Sequence, residues 1–171
     1  MKLYHYVAKE NKVLEEGIRS FARNPGADIS YYFKRSGKNT YDEIIKWMEG
    51  CFKGRSRGIR LLIEPLQYTE RTLSIKKFIE TSDLFEVDVD GLSKDGLVEA
   101  IYVSPSVQEK EPENKNDELL LKISDLSKVD LTPNDYNILD DEKGRRFAFI
   151  RYYLFVIKDG IIPPKYIRLI R

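Results

Sequence analysis

The sequence predicts an α+β fold in a single domain, on three observations. Helix signatures cluster in the first half of the chain, while alternating β-branched and aromatic stretches dominate the second. A chain of 171 residues, 42% of them hydrophobic, suffices for one core that buries on the order of 70% of the unfolded surface. Residues 106 to 118, SVQEKEPENKNDE, form a charged excursion that cannot contribute to a core, so a division into two domains is the weaker alternative to one domain over 1–171.

The elements follow in order. In KLYHYVA, Leu3, His5 and Val7 share one face of a strand and Tyr4 and Tyr6 the other, because strand side chains alternate with period two. AKENKVLEEG then reads as a helix stopped by Gly17. Asp28 caps a short helix ISYYFKR, and Thr40 with Glu43 has the capping-box spacing for a second helix at about 41 to 52. Its residues Ile44, Ile45, Trp47, Met48, Cys51 and Phe52 make a broad apolar stripe toward the core. Strand IRLLI ends at Glu64-Pro65, TLSIKKFIET is a short helix, and DLFEVDV an imperfectly alternating strand. Asp90-Gly91 and Asp95-Gly96 signal turns before strand VEAIYVS. LLLKI follows as a strand, Thr132-Pro133 with Asp135 begins a brief helix, and RRFAFIRYYLFVI reads as the longest strand, at about 145 to 157. The ending IIPPKYIRLIR has the proline content and alternation of an edge strand.

Composition excludes several classes. With 29 basic and 28 acidic residues the formal net charge is +1, so no global field drives binding to nucleic acid or membranes. One cysteine precludes an intramolecular disulfide and fits a reducing cytoplasm, with Cys51 read as an inert core thiol. The N-terminus lacks an apolar signal region, and no 18-residue apolar run suggests a membrane span. Phosphate-loop, CxxC, HExxH and GxSxG patterns are all missing, and a single histidine cannot form a histidine metal cluster.

The strongest local charge signal is Lys53, Arg55, Arg57 and Arg60, interleaved with Gly54 and Gly58, whose bare backbone admits a phosphate. The alternative is a solvated loop that balances the acidic 106 to 118 segment. Four contacts to duplex phosphates would give a salt slope of about −3.6, roughly a hundredfold in affinity between 50 and 200 mM.

Two segments carry a family resemblance. LYHYVAKENKVLEEGI resembles the first motif of ADP-ribosyltransferase-like proteins, a strand bearing histidine followed by a helix ending in "EGI" or "EGL". YYLFVIKDGIIPPKYIRLI is similar to the closing part of DNA ADP-ribosylating toxins and RNA 2′-phosphotransferase-like folds. Together they cover about a fifth of the chain. The resemblance implies an ADP-ribosyltransferase-like fold with a mixed or antiparallel split sheet, helices mainly in the N-terminal half, and NAD or a related nucleotide as ligand. It implies that His5 touches a ribose hydroxyl or the NAD carboxamide, that Tyr6 or Tyr68 stacks on nicotinamide, and that Arg55, Arg57 and Arg60 hold the pyrophosphate. Its activity is transfer of ADP-ribose to a macromolecular acceptor, a nucleic acid or a protein.

The family's late-strand glutamate has no counterpart in RRFAFIRYYLFVI, where arginine stands and no carboxylate occurs before Asp159. Glu64 and Glu99 are the substitutes to weigh as catalytic carboxylates, each against the plainer role of a surface acid at a strand. Two other functions stay open: a non-catalytic binding or immunity protein on the same fold, and a small nucleic-acid-binding protein using the 53 to 60 segment.

Overall fold

The computed structural model describes residues 1–9, 11–67, 73–104, 120–133, 138–140, 146–148 and 151–171. Strand β1 (Lys2–Ala8) is followed by α1 (Val13–Glu16), β2 (Ile18–Arg19), α2 (Ser30–Ser36), α3 (Tyr41–Cys51) and β3 (Gly58–Leu62). Then come α4 (Leu73–Glu80), β4 (Ser82–Asp88), α5 (Val89–Lys94), β5 (Val98–Ser104) and β6 (Leu121–Ile123). The chain closes with β7 (Ile138–Asp140), β8 (Arg146–Ala148), β9 (Tyr152–Ile157), β10 (Ile161–Ile162) and β11 (Ile167–Leu169). The result is a mixed α and β domain built on an antiparallel sheet, its helices concentrated before β5.

The main sheet runs β11-β4-β1-β3-β9-β5-β6, and every pairing among the described residues is antiparallel. One face holds Leu3, Ile59, Leu61, Phe85, Val87 and Phe155, packed under Val89 and Leu92 of α5 and Ile162. On the other, Phe52 at the end of α3 stacks on Tyr102 of β5 with centroids 4.1 Å apart. Strand β9 is therefore covered twice, which is why Tyr153 through Ile157 are all buried and read as one apolar run.

The sheet is weakest at its centre. β1 pairs with β4 from Lys2 opposite Asp88 to Ala8 opposite Ser82, and β3 with β9 from Gly58 opposite Val156 to Leu62 opposite Tyr152. Between β1 and β3, in contrast, the ladder consists of the one pair Tyr4 opposite Leu62.

Local chemistry accounts for two of the expected helices, α2 and α3, whereas the helix expected over AKENKVLEEG is confined to Val13–Glu16. Asp28 Oδ1 accepts from the Ser30 N–H at 2.9 Å ahead of α2, and Thr40 Oγ1 accepts from the Glu43 N–H at 3.3 Å at the start of α3. Several expectations need correction. Val89–Lys94 is helical, not a pair of turns, because Asp88 Oδ1 accepts from the Gly91 N–H at 3.2 Å and caps it. The expected strand 145–157 is two strands: β8 pairs with β7 in a separate ribbon, and β9 begins at Tyr152. Arg151 stands before it, its guanidinium donating to the Asp130 carbonyl at 3.1 Å. Cys51 is exposed, since the buried stripe of α3 is carried by Ile44 and Met48 and ends a turn earlier. Thr132-Pro133 is not helical, while Asp135 and the charged segment 106–118 lie outside the described residues. Among the described residues no helix is long and apolar enough to cross a membrane.

Candidate functional site

The weak seam between β1 and β3 is where the chain's one histidine sits. Strand alternation puts His5 beside Leu3 and Val7, opposite Phe85 of β4. Where the β1–β3 ladder has stopped, the ring takes over the ladder's work: His5 Nδ1 lies 2.6 Å from the Arg60 carbonyl oxygen. A carbonyl can only accept, so Nδ1 carries the proton and Nε2 of the neutral ring is an acceptor. Burial pushes the imidazole's pKa down, the bond to the Arg60 carbonyl opposes that, and the Arg60 charge adds to the fall. The ring is thereby held neutral at physiological pH, which suits it to accept a hydrogen bond from a hydroxyl.

His5 lines a cleft of about 180 Å³. Its lining includes Gly58, Ile59 and Arg60 of β3, Leu154 of β9 and Met48 of α3. Arg19 at the end of β2 and the following Ser20 and Phe21 line it with Tyr32 of α2 and Arg55. No carboxylate occurs in this lining among the described residues, while Arg19, Arg55 and Arg60 do belong to it, so its potential is positive.

Each cation is positioned by a neighbour. Arg55 is 7% exposed and lies over the Trp47 ring at 4.7 Å. The loop that carries it is held by Glu49 of α3, whose carboxylate accepts from the N–H groups of Gly54 and Ser56, each at 3.0 Å. Burial alone would raise the Glu49 pKa, but the bonds from Ser56 and Gly54 outweigh it and hold the carboxyl below its ordinary range. Arg60 packs over the Tyr152 ring at 4.8 Å. Arg19 pairs with Glu16 at 2.8 Å on the exposed side, a bond weak enough to exchange for an anion in the cleft.

The residues singled out in the sequence divide. His5, Arg55 and Arg60 come together in the cleft. Arg57 does not line it: its guanidinium donates to Glu99 at 2.6 Å and approaches the Ile157 carbonyl at 3.5 Å. Glu99 sits at an irregularity of β5 between Val98 and Ala100, and its carboxylate is engaged by that arginine. Glu64 lies in the bend after β3 and is not part of the lining. Tyr6 is on the opposite side of β1 from His5, its ring 5.5 Å from that of Phe78 and its hydroxyl accepting from the Leu66 N–H at 3.0 Å. Tyr68 lies outside the described residues.

Sequence reasoning missed Arg19, Ser20, Phe21 and Tyr32. The available signal was position: Arg19 and Ser20 directly follow the Gly17-Ile18 stop, and β2 is brought to the tail by β10, with Ile18 opposite Ile162. The two segments that carry the family resemblance are thus neighbours in space. Among the described residues no group of three or more His, Cys, Asp or Glu side chains is placed to hold a metal ion. No protein-family model, no curated protein and no solved structure significantly matches the chain.

Proposed function

We propose that this protein binds NAD or a related nucleotide through a phosphorylated ribose seated in the cleft beside His5. The observation that carries the reading is the joining of one neutral imidazole, its Nε2 free of the Arg60 bond that occupies Nδ1, with Arg19, Arg55 and Arg60 in a single cavity. A ribose presents hydroxyl donors and its phosphate presents anionic acceptors, so this set complements both parts. The volume fits the fragment better than the whole ligand. At about 180 Å³ the cleft is smaller than the roughly 300 to 1,000 Å³ that encloses a drug-sized molecule, so a dinucleotide would extend over its rim. Phe21 and Tyr32, their ring centroids 4.8 Å apart, supply aromatic surface there.

Transfer of ADP-ribose to a nucleic acid or protein is the reaction the family resemblance suggests, and it needs a carboxylate near the ribose. Glu99 is tied to Arg57 and Glu64 is outside the lining, so the site favours the binding role over catalysis. A positioned acid or base is typically worth about 10² to 10⁴ in rate. The nucleic-acid reading of the 53 to 60 segment is the second one, since Arg57 of that segment is engaged by Glu99.

Calorimetry tests the proposal. NAD and ADP-ribose should bind the wild-type chain, His5→Ala should weaken both by about 2- to 10-fold, and Arg19→Gln by about 10-fold. Failure of both ligands to give heat at millimolar concentration would remove the proposal. Affinity for duplex DNA that falls with a salt slope near −3.6 would support the nucleic-acid role in its place.

A further inference from the structure

Ser20 stands between Arg19 and the 3₁₀ turn Phe21–Arg23, and the opposite end of the chain fixes it there. Its N–H donates to the Gly160 carbonyl at 2.8 Å. A Cβ placed on Gly160 would come within 2.5 Å of Ser20 Oγ, so the turn after β9 leaves space for the hydroxyl only because residue 160 is glycine. Ser20 lines the cleft, is 2% exposed, and among the described residues its Oγ has no hydrogen-bond partner. Buried hydroxyls are ordinarily satisfied, so this one is suited to a group that enters from outside the chain. With Arg19, Arg55 and Arg60 lining the same cavity, the group that matches it is an anionic oxygen.

We infer that Ser20 is the specificity-determining residue of a phosphate subsite, its hydroxyl donating to a phosphate oxygen while Arg19 and Arg55 supply the charge. The cleft therefore selects phosphorylated nucleotides over the matching nucleosides. The identity of the ligand rests on the nucleotide-binding reading above; the chemistry of the subsite does not. Gly160 acts as a positioning residue, since any side chain there would displace the hydroxyl.

Titration of the wild type, Ser20→Ala and Ser20→Cys with inorganic pyrophosphate, ADP-ribose and adenosine tests this. Ser20→Ala should weaken pyrophosphate and ADP-ribose about 10-fold and leave adenosine affinity unchanged. It should also leave the ligand-free melting temperature level or higher, because no native hydrogen bond is lost. Ser20→Cys keeps the volume with a weaker donor and should show the same loss of phosphate affinity, which decides the matter if the alanine variant fails to fold. Equal phosphate affinity in all three proteins overturns the inference, as does a lowered ligand-free melting temperature with unchanged affinity. Pyrophosphate binding that depends on Ser20, without NAD or ADP-ribose binding, would keep the subsite and reject the nucleotide. NAD binding indifferent to Ser20 would do the reverse.

Discussion

His5 has one nitrogen committed to the Arg60 carbonyl, and its burial, which that bond only partly offsets, makes stability depend on pH. In the unfolded chain the ring takes up a proton near pH 6.5; in the fold it does so only at lower pH, so between those values the unfolded state binds more protons. Stability is therefore fully present above about 6.5 and falls as pH drops below it, by at most about 1.4 kcal/mol per pH unit. Because the chain has one histidine, no other imidazole shares that window. Urea midpoints at pH 7 and pH 5 should differ in the wild type and differ less in His5→Gln; an identical difference in both would contradict this. The face on which His5 lies was legible from Leu3 and Val7 alone, by alternation. Its partner was not, since Arg60 is 55 residues away and meets the ring only because the β1–β3 ladder stops short.

At the scale of elements, the best-read segments are those closed by their own neighbours in sequence. Thr40 caps α3 from three residues before Glu43, so Thr40→Ala should cost about 1 kcal/mol, roughly 2 to 4 °C in melting temperature, by calorimetric or optical melting. Gly17 is a different kind of stop. Its φ is +85° and a Cβ there would overlap the Ile162 carbonyl oxygen, so Gly17→Ala should destabilise by about 1 to 3 kcal/mol or more. It should weaken nucleotide binding as well, because β2 carries Arg19 to the cleft; a Gly17→Ala protein with wild-type melting and affinity would contradict both. A terminating glycine was visible in "EEGI", whereas its contact with the tail depends on a pairing across the whole chain. The misread elements have the same origin. Asp88 caps α5 from within a strand, and Arg151 is tied to Asp130, so neither boundary follows from hydrophobic period alone.

For the whole molecule, the central feature is a sheet joined at its middle by one residue pair, with a cationic cleft beside it. The N-terminal strand and the C-terminal tail both reach this region: β10 pairs with β2, and β11 with β4 beside β1. The α+β class and the apolar segments were legible because composition and alternation are local. The convergence of Arg19, Ser20 and Arg55 on His5 was not, because it is a product of strand order. Since the chain has one histidine, nitrogen NMR of its imidazole reports on the site without ambiguity. At pH 7 it should show a neutral ring protonated on Nδ1, and saturating ADP-ribose should shift Nε2 as it accepts a ribose hydroxyl. A charged ring, the Nε2–H tautomer, or a spectrum unmoved by ADP-ribose and NAD would contradict the role assigned to His5.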